Sequence, residues 1–529
     1  MRLPPTRKVV GEVPVLVGVA LGQAVSWLHG SAYVVGDAIE GYGWSGYLLN
    51  AWAVSHAETG RIDSFRGVLH AYLVGHLGEL IDSYPDAAVV VASLSVTLLI
   101  LSAAVAGRAL AGPWAGGLAA AAVPWTTHAA DMARWANAYP VLSATSAAAL
   151  ALACLLNRRP KAWIALATGA AAGLAWAADD RGLAILPVVL LLTASATIGA
   201  GRPRWLPLLV LLGLGTRPAM HYGTWSHMAK ERSQTEALEN QRGVVHRFVR
   251  ISNNPRLQAA CPVEEADYLT RAALGDCALQ MVVANAQDRL PKHLPFGGAL
   301  TALGALLLLL PGRRGRRGSV EGALLLLGSA PFIGFAMLTP LADRYVSQLA
   351  MPLALLPAVG ALKLVRTLAP AAASAWASAI VAVAVGAWTW KSDPAGRTSP
   401  TALTMNHERN AAAEFALELH RSTTPDDALL DCTTDGISLH MLPTIPQAFA
   451  EHLQAPVADM RDANVCVDWI AAPPEAPGRR LVVVKRRVSL RMESEGQRKN
   501  IEPAQLVEAD GRWTLVGTSG DYQTWEFEG

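Results

Sequence analysis

The chain has 529 residues, of which 52% are hydrophobic and 16% charged, with a formal net charge of +2 and a mean hydropathy of +0.28. Soluble domains carry about a quarter charged residues, so this composition excludes an ordinary soluble protein and indicates an integral membrane protein. Lys and Arg sit in short clusters between apolar runs and make no extended basic face, which argues against nucleic-acid binding.

Crossing a hydrocarbon core of roughly 30 Å takes about 20 mainly apolar residues, and about eleven runs are candidates. In chain order they are Gly11 to Gly30, Ala87 to Leu110, Gly112 to Thr126, Tyr139 to Leu156, Ala162 to Ala178, Gly182 to Ile198 and Trp205 to Gly215. Phe296 to Leu310, Ala323 to Leu338, Tyr345 to Leu364 and Ala369 to Trp390 follow. The first run lacks a small-residue cleavage pattern and reads as a retained span.

Basic clusters test this order, because short cytoplasmic loops carry an excess of Lys and Arg. Arg2, Arg7 and Lys8 precede the first span. Arg108, the Arg158-Arg159-Lys161 group, Arg202 with Arg204, the four arginines from Arg313 to Arg317, and Lys363 with Arg366 then follow alternate later ones. All fall on one side, which places the amino terminus in the cytoplasm and the carboxyl terminus outside. Of the five cysteines, Cys154 lies in a span, and Cys261, Cys277, Cys432 and Cys466 lie in outer segments. An oxidising compartment and local pairs Cys261–Cys277 and Cys432–Cys466 are expected, since the spacing lacks the Cys-x-x-Cys of a zinc site.

Three outer segments exceed connector length: 31–86, 217–295 and 391–529. The first carries helical periodicity over Ala38 to His56 and Phe65 to Leu80, expected as short interfacial helices. The last is richer in charge, with a helix expected over His407 to Leu419, strands at Ala428 to Asp431 and Leu481 to Val484, and a hairpin pairing Trp513 to Val516 with Thr524 to Phe527 around Ser519-Gly520. The expected architecture is therefore a polytopic α-helical membrane domain over 1–390 and a soluble external α/β domain over 391–529.

Charged residues at span ends are costly unless paired or wet, so each is a candidate for function. The first outer loop opens with Gly36-Asp37-Ala38-Ile39-Glu40-Gly41-Tyr42. Later outer turns supply Asp131 and Arg134 before Tyr139, then Asp179, Asp180 and Arg181, then Arg217 and His221, and finally Asp343-Arg344-Tyr345. A basic group in every outer turn suits an anionic phosphate headgroup. The bland alternative is that these residues solvate span ends or snorkel.

The order of these features resembles the GT-C glycosyltransferases, in particular the dolichyl-phosphate-mannose protein mannosyltransferases and the bacterial aminoarabinose transferases. The resemblance rests on Asp37-Ala38-Ile39-Glu40-Gly41-Tyr42, on Ala133-Arg134-Trp135-Ala136-Asn137-Ala138-Tyr139-Pro140, and on Asp343-Arg344-Tyr345-Val346. The family commonly has adjacent Asp-Glu, whereas two residues intervene here. Residues three apart on a helix share a face, so Asp37 and Glu40 can still converge. Asp37 also fits a helix amino-terminal cap, which does not exclude catalysis.

The resemblance implies a multi-pass protein of a bacterial inner membrane that moves a sugar from a polyprenyl-phosphate donor to an acceptor on the outer side, with inversion. Asp37 would be the general base and Glu40 its partner. Asp131, Arg134, Tyr139, Arg181, Arg217, His221, Arg344 and Tyr345 would bind substrate, with Arg134, Arg181 and Arg344 meeting charge on the leaving phosphate. It also implies no essential metal, although Asp37, Glu40 and Asp131 have the oxygen chemistry for a divalent ion. The competing readings are a transporter or flippase, which inverted repeats or mid-span charges would favour, and a catalytically inactive assembly protein that keeps the fold.

Overall fold

In the computed structural model of the chain, the residues described are 5–31, 48–55, 62–63, 67–81, 84–126, 129–133, 137–197, 203–221, 229–230, 276–284, 306, 348–368, 424, 426–432, 463–486, 490–494 and 497–529. They fall into two compact units: Met1–Ala32, Asp63–Leu73 and Val89–Arg397 form one, and Tyr33–Ile62, Val74–Ala88 and Thr398–Gly529 form the other.

The first unit is helical. Its described helices are α1 (Pro5–Ser31), α4 (Tyr84–Ala111), α5 (Pro113–Ala122), α6 (Ala129–Met132), α7 (Tyr139–Arg158), α8 (Ala162–Ala178), α9 (Leu186–Thr197), α10 (Leu206–Leu214), α11 (Thr216–Met220) and helices over Asp276–Ala284 and Ala350–Leu368. Between α1 and α4 in the chain, α2 (Leu48–Ser55) falls in the second unit, and α3 (Val68–Ile81) is divided between the two. Three described stretches are long and apolar enough to cross a membrane: Asp86–Ala111, Tyr139–Arg158 and Asp180–Thr197. On α4 the residues Val90, Leu94, Leu98, Leu101 and Val105 form an exposed apolar stripe, while Val91, Leu99, Ala103 and Ala106 are buried. A stripe of that kind faces acyl chains in a helical membrane protein, where lipid is as apolar as leucine.

The expected span over Gly112 to Thr126 takes a different form. Only Pro113–Ala122 is α-helical, and Val123–Trp125 is a 3-10 turn that contains Pro124. Ten residues at 1.5 Å each rise about 15 Å, half a bilayer core, so α5 does not cross one alone. It is wedged between neighbours by backbone contact. A Cβ added at Gly117 would strike the Pro14 carbonyl of α1, and one added at Gly116 would lie 2.6 Å from the Ala104 carbonyl of α4. Small residues permit this approach, which replaces the hydrophobic drive that lipid does not supply.

The same device joins α8 to α10. In Gly169-Ala170-Ala171-Ala172-Gly173 the two glycines lie four apart on one face. Beta carbons there would collide with the Val210 carbonyl and the Thr216 hydroxyl.

In the second unit the strands β1 (Ala428–Asp431), β2 (Arg480–Lys485), β5 (Trp513–Ser519) and β6 (Tyr522–Phe527) form a sheet in the order β1-β2-β6-β5, and β3 (Leu490–Ser494) pairs with β4 (Gln497–Ile501). β1 and β2 are parallel, with Ala428 opposite Arg480, and the other two neighbouring pairs of that sheet are antiparallel. The last hairpin turns at Gly520, whose φ of 59° suits glycine. Trp469, Val482, Val484, Trp513 and Trp525 share the core with the Cys432–Cys466 disulfide, which links the end of β1 to the helix Ala463–Ala471. Asp427 pins the entry to β1, accepting from the Thr424 and Arg479 backbone nitrogens at 2.9 and 2.8 Å and from Arg479 Nη2 at 2.8 Å. The helix expected over His407 to Leu419 and the expected Cys261–Cys277 pair lie outside the described residues.

Candidate functional site

One end of the helical unit gathers three elements: the start of α7, the end of α8 with the 3-10 turn Asp180–Ile185 that follows it, and α11. The glycine-mediated packing of α8 on α10 sets the geometry. Gly169, Gly173 and Trp176 recur at i, i+4 and i+7, so all three face one way. Trp176 therefore meets the chain just beyond Thr216, whose hydroxyl donates to the Ala170 carbonyl at 3.3 Å.

Arg217 is placed by that contact. Its guanidinium carbon lies 4.8 Å from the Trp176 ring centroid. Asp180 joins them, accepting from Trp176 Nε1 at 3.2 Å and sitting 3.7 Å from Arg217 Nη2. The Asp180 side chain is 87% exposed, so this ion pair is loose and wet. Arg217 Nε is buried and, among the described residues, has no hydrogen-bond acceptor. His221 follows on the same element. Burial, and then the nearby Arg217 charge, hold its imidazole below the ordinary value against a weaker pull from Asp180.

Arg181 is arranged in the opposite sense. Asp179 caps the 3-10 turn, accepting from the Arg181 backbone nitrogen at 2.9 Å, and takes a bidentate grip from Arg181 Nε and Nη2 at 2.7 and 2.6 Å. Arg181 Nη2 also donates to the Tyr139 hydroxyl at 2.8 Å, and the guanidinium stacks on that ring at 4.6 Å. Tyr139 is itself aligned by buried Asn137, whose Oδ1 accepts from its backbone nitrogen at 3.0 Å. This chain of contacts ties the start of α7 to the end of α8. Its positive charge is met by its own carboxylate, so it suits positioning better than anion capture.

Of the residues expected at the site, Tyr139, Arg181, Arg217 and His221 are thus described, and they fall on these three adjoining elements. Asp131 lies on α6, with only its backbone described. Asp37, Glu40, Arg134, Arg344 and Tyr345 lie outside the described residues. Trp176 was not expected from the sequence. Its signal is present as a tryptophan three residues past a glycine pair and four before Asp180. Among the described residues there is no cluster of three His, Cys, Asp or Glu side chains able to hold a metal.

No protein-family model matches the chain, and no curated protein matches it by sequence. Solved structures do. ArnT from Cupriavidus metallidurans bound to undecaprenyl phosphate superposes with a TM-score of 0.58 over 97% of each chain at 14% sequence identity. The apo state of the same protein gives 0.52 over the same shares, also at 14% identity. The chain shares the fold of ArnT. The overlap extends along nearly the full length of both chains. Arg181 and Arg217 of this cluster are among the residues that the resemblance implies for substrate binding.

Proposed function

We propose that this protein is a membrane glycosyltransferase that moves a sugar from a polyprenyl-phosphate donor to an acceptor on the outer side of a bacterial inner membrane. The observation that carries the reading is the fold shared over 97% of both chains with a protein whose structure holds undecaprenyl phosphate. Arg217 supports it, since a guanidinium held on an indole face, with a buried donor that has no acceptor among the described residues, is suited to a phosphate oxygen.

In the proposed reaction Asp37, oriented by Glu40, takes the proton of the acceptor hydroxyl or amine as that atom attacks the anomeric carbon, and the configuration inverts. The bond to the donor phosphate breaks and negative charge builds on its oxygen. Arg217, with Arg134 and Arg344, stabilises that charge more in the transition state than in the ground state, which is where binding energy accelerates the step. The Arg181–Tyr139 link holds the α7 and α8 ends in register, and Asp131 and Tyr345 are assigned to substrate binding. As the resemblance implies, the proposed reaction uses no metal ion and leaves the leaving-group charge to guanidinium groups.

We also read 1–390 as the membrane domain of about eleven spans, with the amino terminus cytoplasmic and 391–529 as the external α/β domain. The test of function is mass spectrometry of glycoconjugates from cells with the wild-type chain and with Asp37→Asn. The sugar-bearing product is expected only with the wild type, and an unchanged product from the variant would overturn the assignment.

A further inference from the structure

The opposite end of the helical unit holds a cavity of about 420 Å³ where the ends of α4 and α7 meet the start of α5. Tyr139 and Arg158 are the two ends of α7, whose 20 residues rise about 30 Å, so this cavity is a full helix length from the Tyr139–Arg181 contact. Its walls are apolar at Ala109, Pro113 and Leu155 and cationic at Arg108, Arg158 and Arg159.

Two of these arginines are anchored. Arg108 grips Glu12 of α1 through both ends of its fork, with Nε at 2.7 Å, and Arg158 Nε donates to the Ala109 carbonyl at 3.1 Å. Arg159 is exposed at the rim. Three guanidinium groups thus face the cavity, none of its described lining residues is acidic, and Arg108 is held by the Glu12 carboxylate. Membrane topology alone calls for positive charge at this end, but not for a cavity with two of its three cations fixed in place.

We propose that this cavity binds the phosphodiester headgroup of an anionic phospholipid from the surrounding leaflet. Guanidinium forks match phosphate oxygens, and basic pockets between transmembrane helices take such headgroups. The apolar walls favour a lipid over free phosphate, because they offer contact to glycerol and the first acyl carbons. The volume lies within the range of small-molecule pockets, about 300 to 1,000 Å³. The proposal stands on the helical membrane fold and is independent of the sugar-transfer reading.

The test is native mass spectrometry of the full chain in detergent, titrated separately with dioleoyl phosphatidylglycerol, dioleoyl phosphatidylcholine and inorganic phosphate. Phosphatidylglycerol is expected to be retained about tenfold better than phosphatidylcholine. Arg158→Gln with Arg159→Gln should remove that preference, while Lys161→Gln with Arg204→Gln, which deletes as much charge outside the cavity, should keep it. Arg159→Gln alone changes an exposed side chain and guards against misfolding of the double variant. It should weaken retention several-fold. Equal retention of the two lipids, no loss in either cavity variant, equal loss in the control pair, or retention of inorganic phosphate as strong as that of the lipid would each overturn the proposal.

Discussion

Arg217 rests on the face of Trp176 while its nearest described carboxylate, Asp180, stands largely in solvent. The indole orients the guanidinium and the loose counterion leaves its charge available. Replacing Arg217 by Ala should lower kcat/KM for sugar transfer about 100-fold, and by Lys about tenfold, since an ammonium keeps the charge but not the fork. Asp180→Asn should change it less than about threefold, because exposed ion pairs contribute about 0 to 1 kcal/mol. Steady-state kinetics on the three variants checks this order, and a larger loss in Asp180→Asn than in Arg217→Lys would contradict it.

Arg181 predicts the reverse balance. Asp179 holds it by two side-chain bonds, and both side chains are mostly buried. Asp179→Ala should destabilise the fold by about 2 kcal/mol, below the 3–5 kcal/mol of a fully buried pair because some solvent reaches this one. Tyr139→Phe deletes one hydrogen bond and should cost about 1 kcal/mol. Thermal unfolding in detergent measures both, and the transfer rate of folded Tyr139→Phe should fall only a few-fold.

Asp37→Asn should leave the unfolding midpoint within about 2 °C of wild type and lower transfer by at least about 100-fold, as loss of a general base does. A chelator should leave wild-type transfer unchanged. Loss of activity on chelation, with recovery on adding a divalent ion, would show that the carboxylates hold a metal.

The second unit should show its own acid sensitivity. Burial opposes ionisation of Asp427, but hydrogen bonds from the Arg479 side chain and from the Thr424 and Arg479 backbone outweigh it and hold the carboxyl below its ordinary value. A depressed folded value means the stabilisation is complete above the unfolded value near about 3.9 and is lost as pH falls through the folded one. Protection of β1 and β2 amides against hydrogen exchange, taken relative to the intrinsic exchange rate at each pH, should therefore fall below about pH 4 in the wild type. In Asp427→Asn that protection should already be lower at pH 7 and change less with acid.

The disulfide offers a separate handle on that unit. Cys432 and Cys466 are 34 residues apart, a loop whose closure is worth about 3–4 kcal/mol on the chain-entropy account. Cys432→Ser with Cys466→Ser should raise exchange across β1 and the helix Ala463–Ala471 and leave α7 and α8 unaffected.

How much was legible in the sequence depended on what terminates each element. Tyr139–Arg158 and Ala162–Ala178 could be read closely because Pro140 opens one and Arg159-Pro160-Lys161 separates them. The run Gly112 to Thr126 looked like a span because composition counts apolar residues and is blind to the tightening at Val123-Pro124-Trp125. Strands β1, β2, β5 and β6 carry apolar or alternating runs that mark a half-buried sheet. β4 reads Gln-Arg-Lys-Asn-Ile, too polar to announce a strand, and forms through its pairing with β3. At the site, the charged residues were visible as a set, but their division into an arginine bound to its own acid and one left available is a tertiary property. Asp179 and Asp180 are neighbours of one type, and only the 3-10 turn sends one to Arg181 and the other to Trp176 and Arg217.

The backbone contact between α1 and α5 bears on how this protein can be engineered. Gly18 and Gly22 of α1 face Gly117 and Ala120 of α5 with no room for a side chain. A leucine-rich signal anchor of equal length, swapped in to improve expression, would insert in the bilayer and still fail to seat on α5. Purification tags belong ahead of Pro5, and a chimera that exchanges the first helix has to carry its two glycines along.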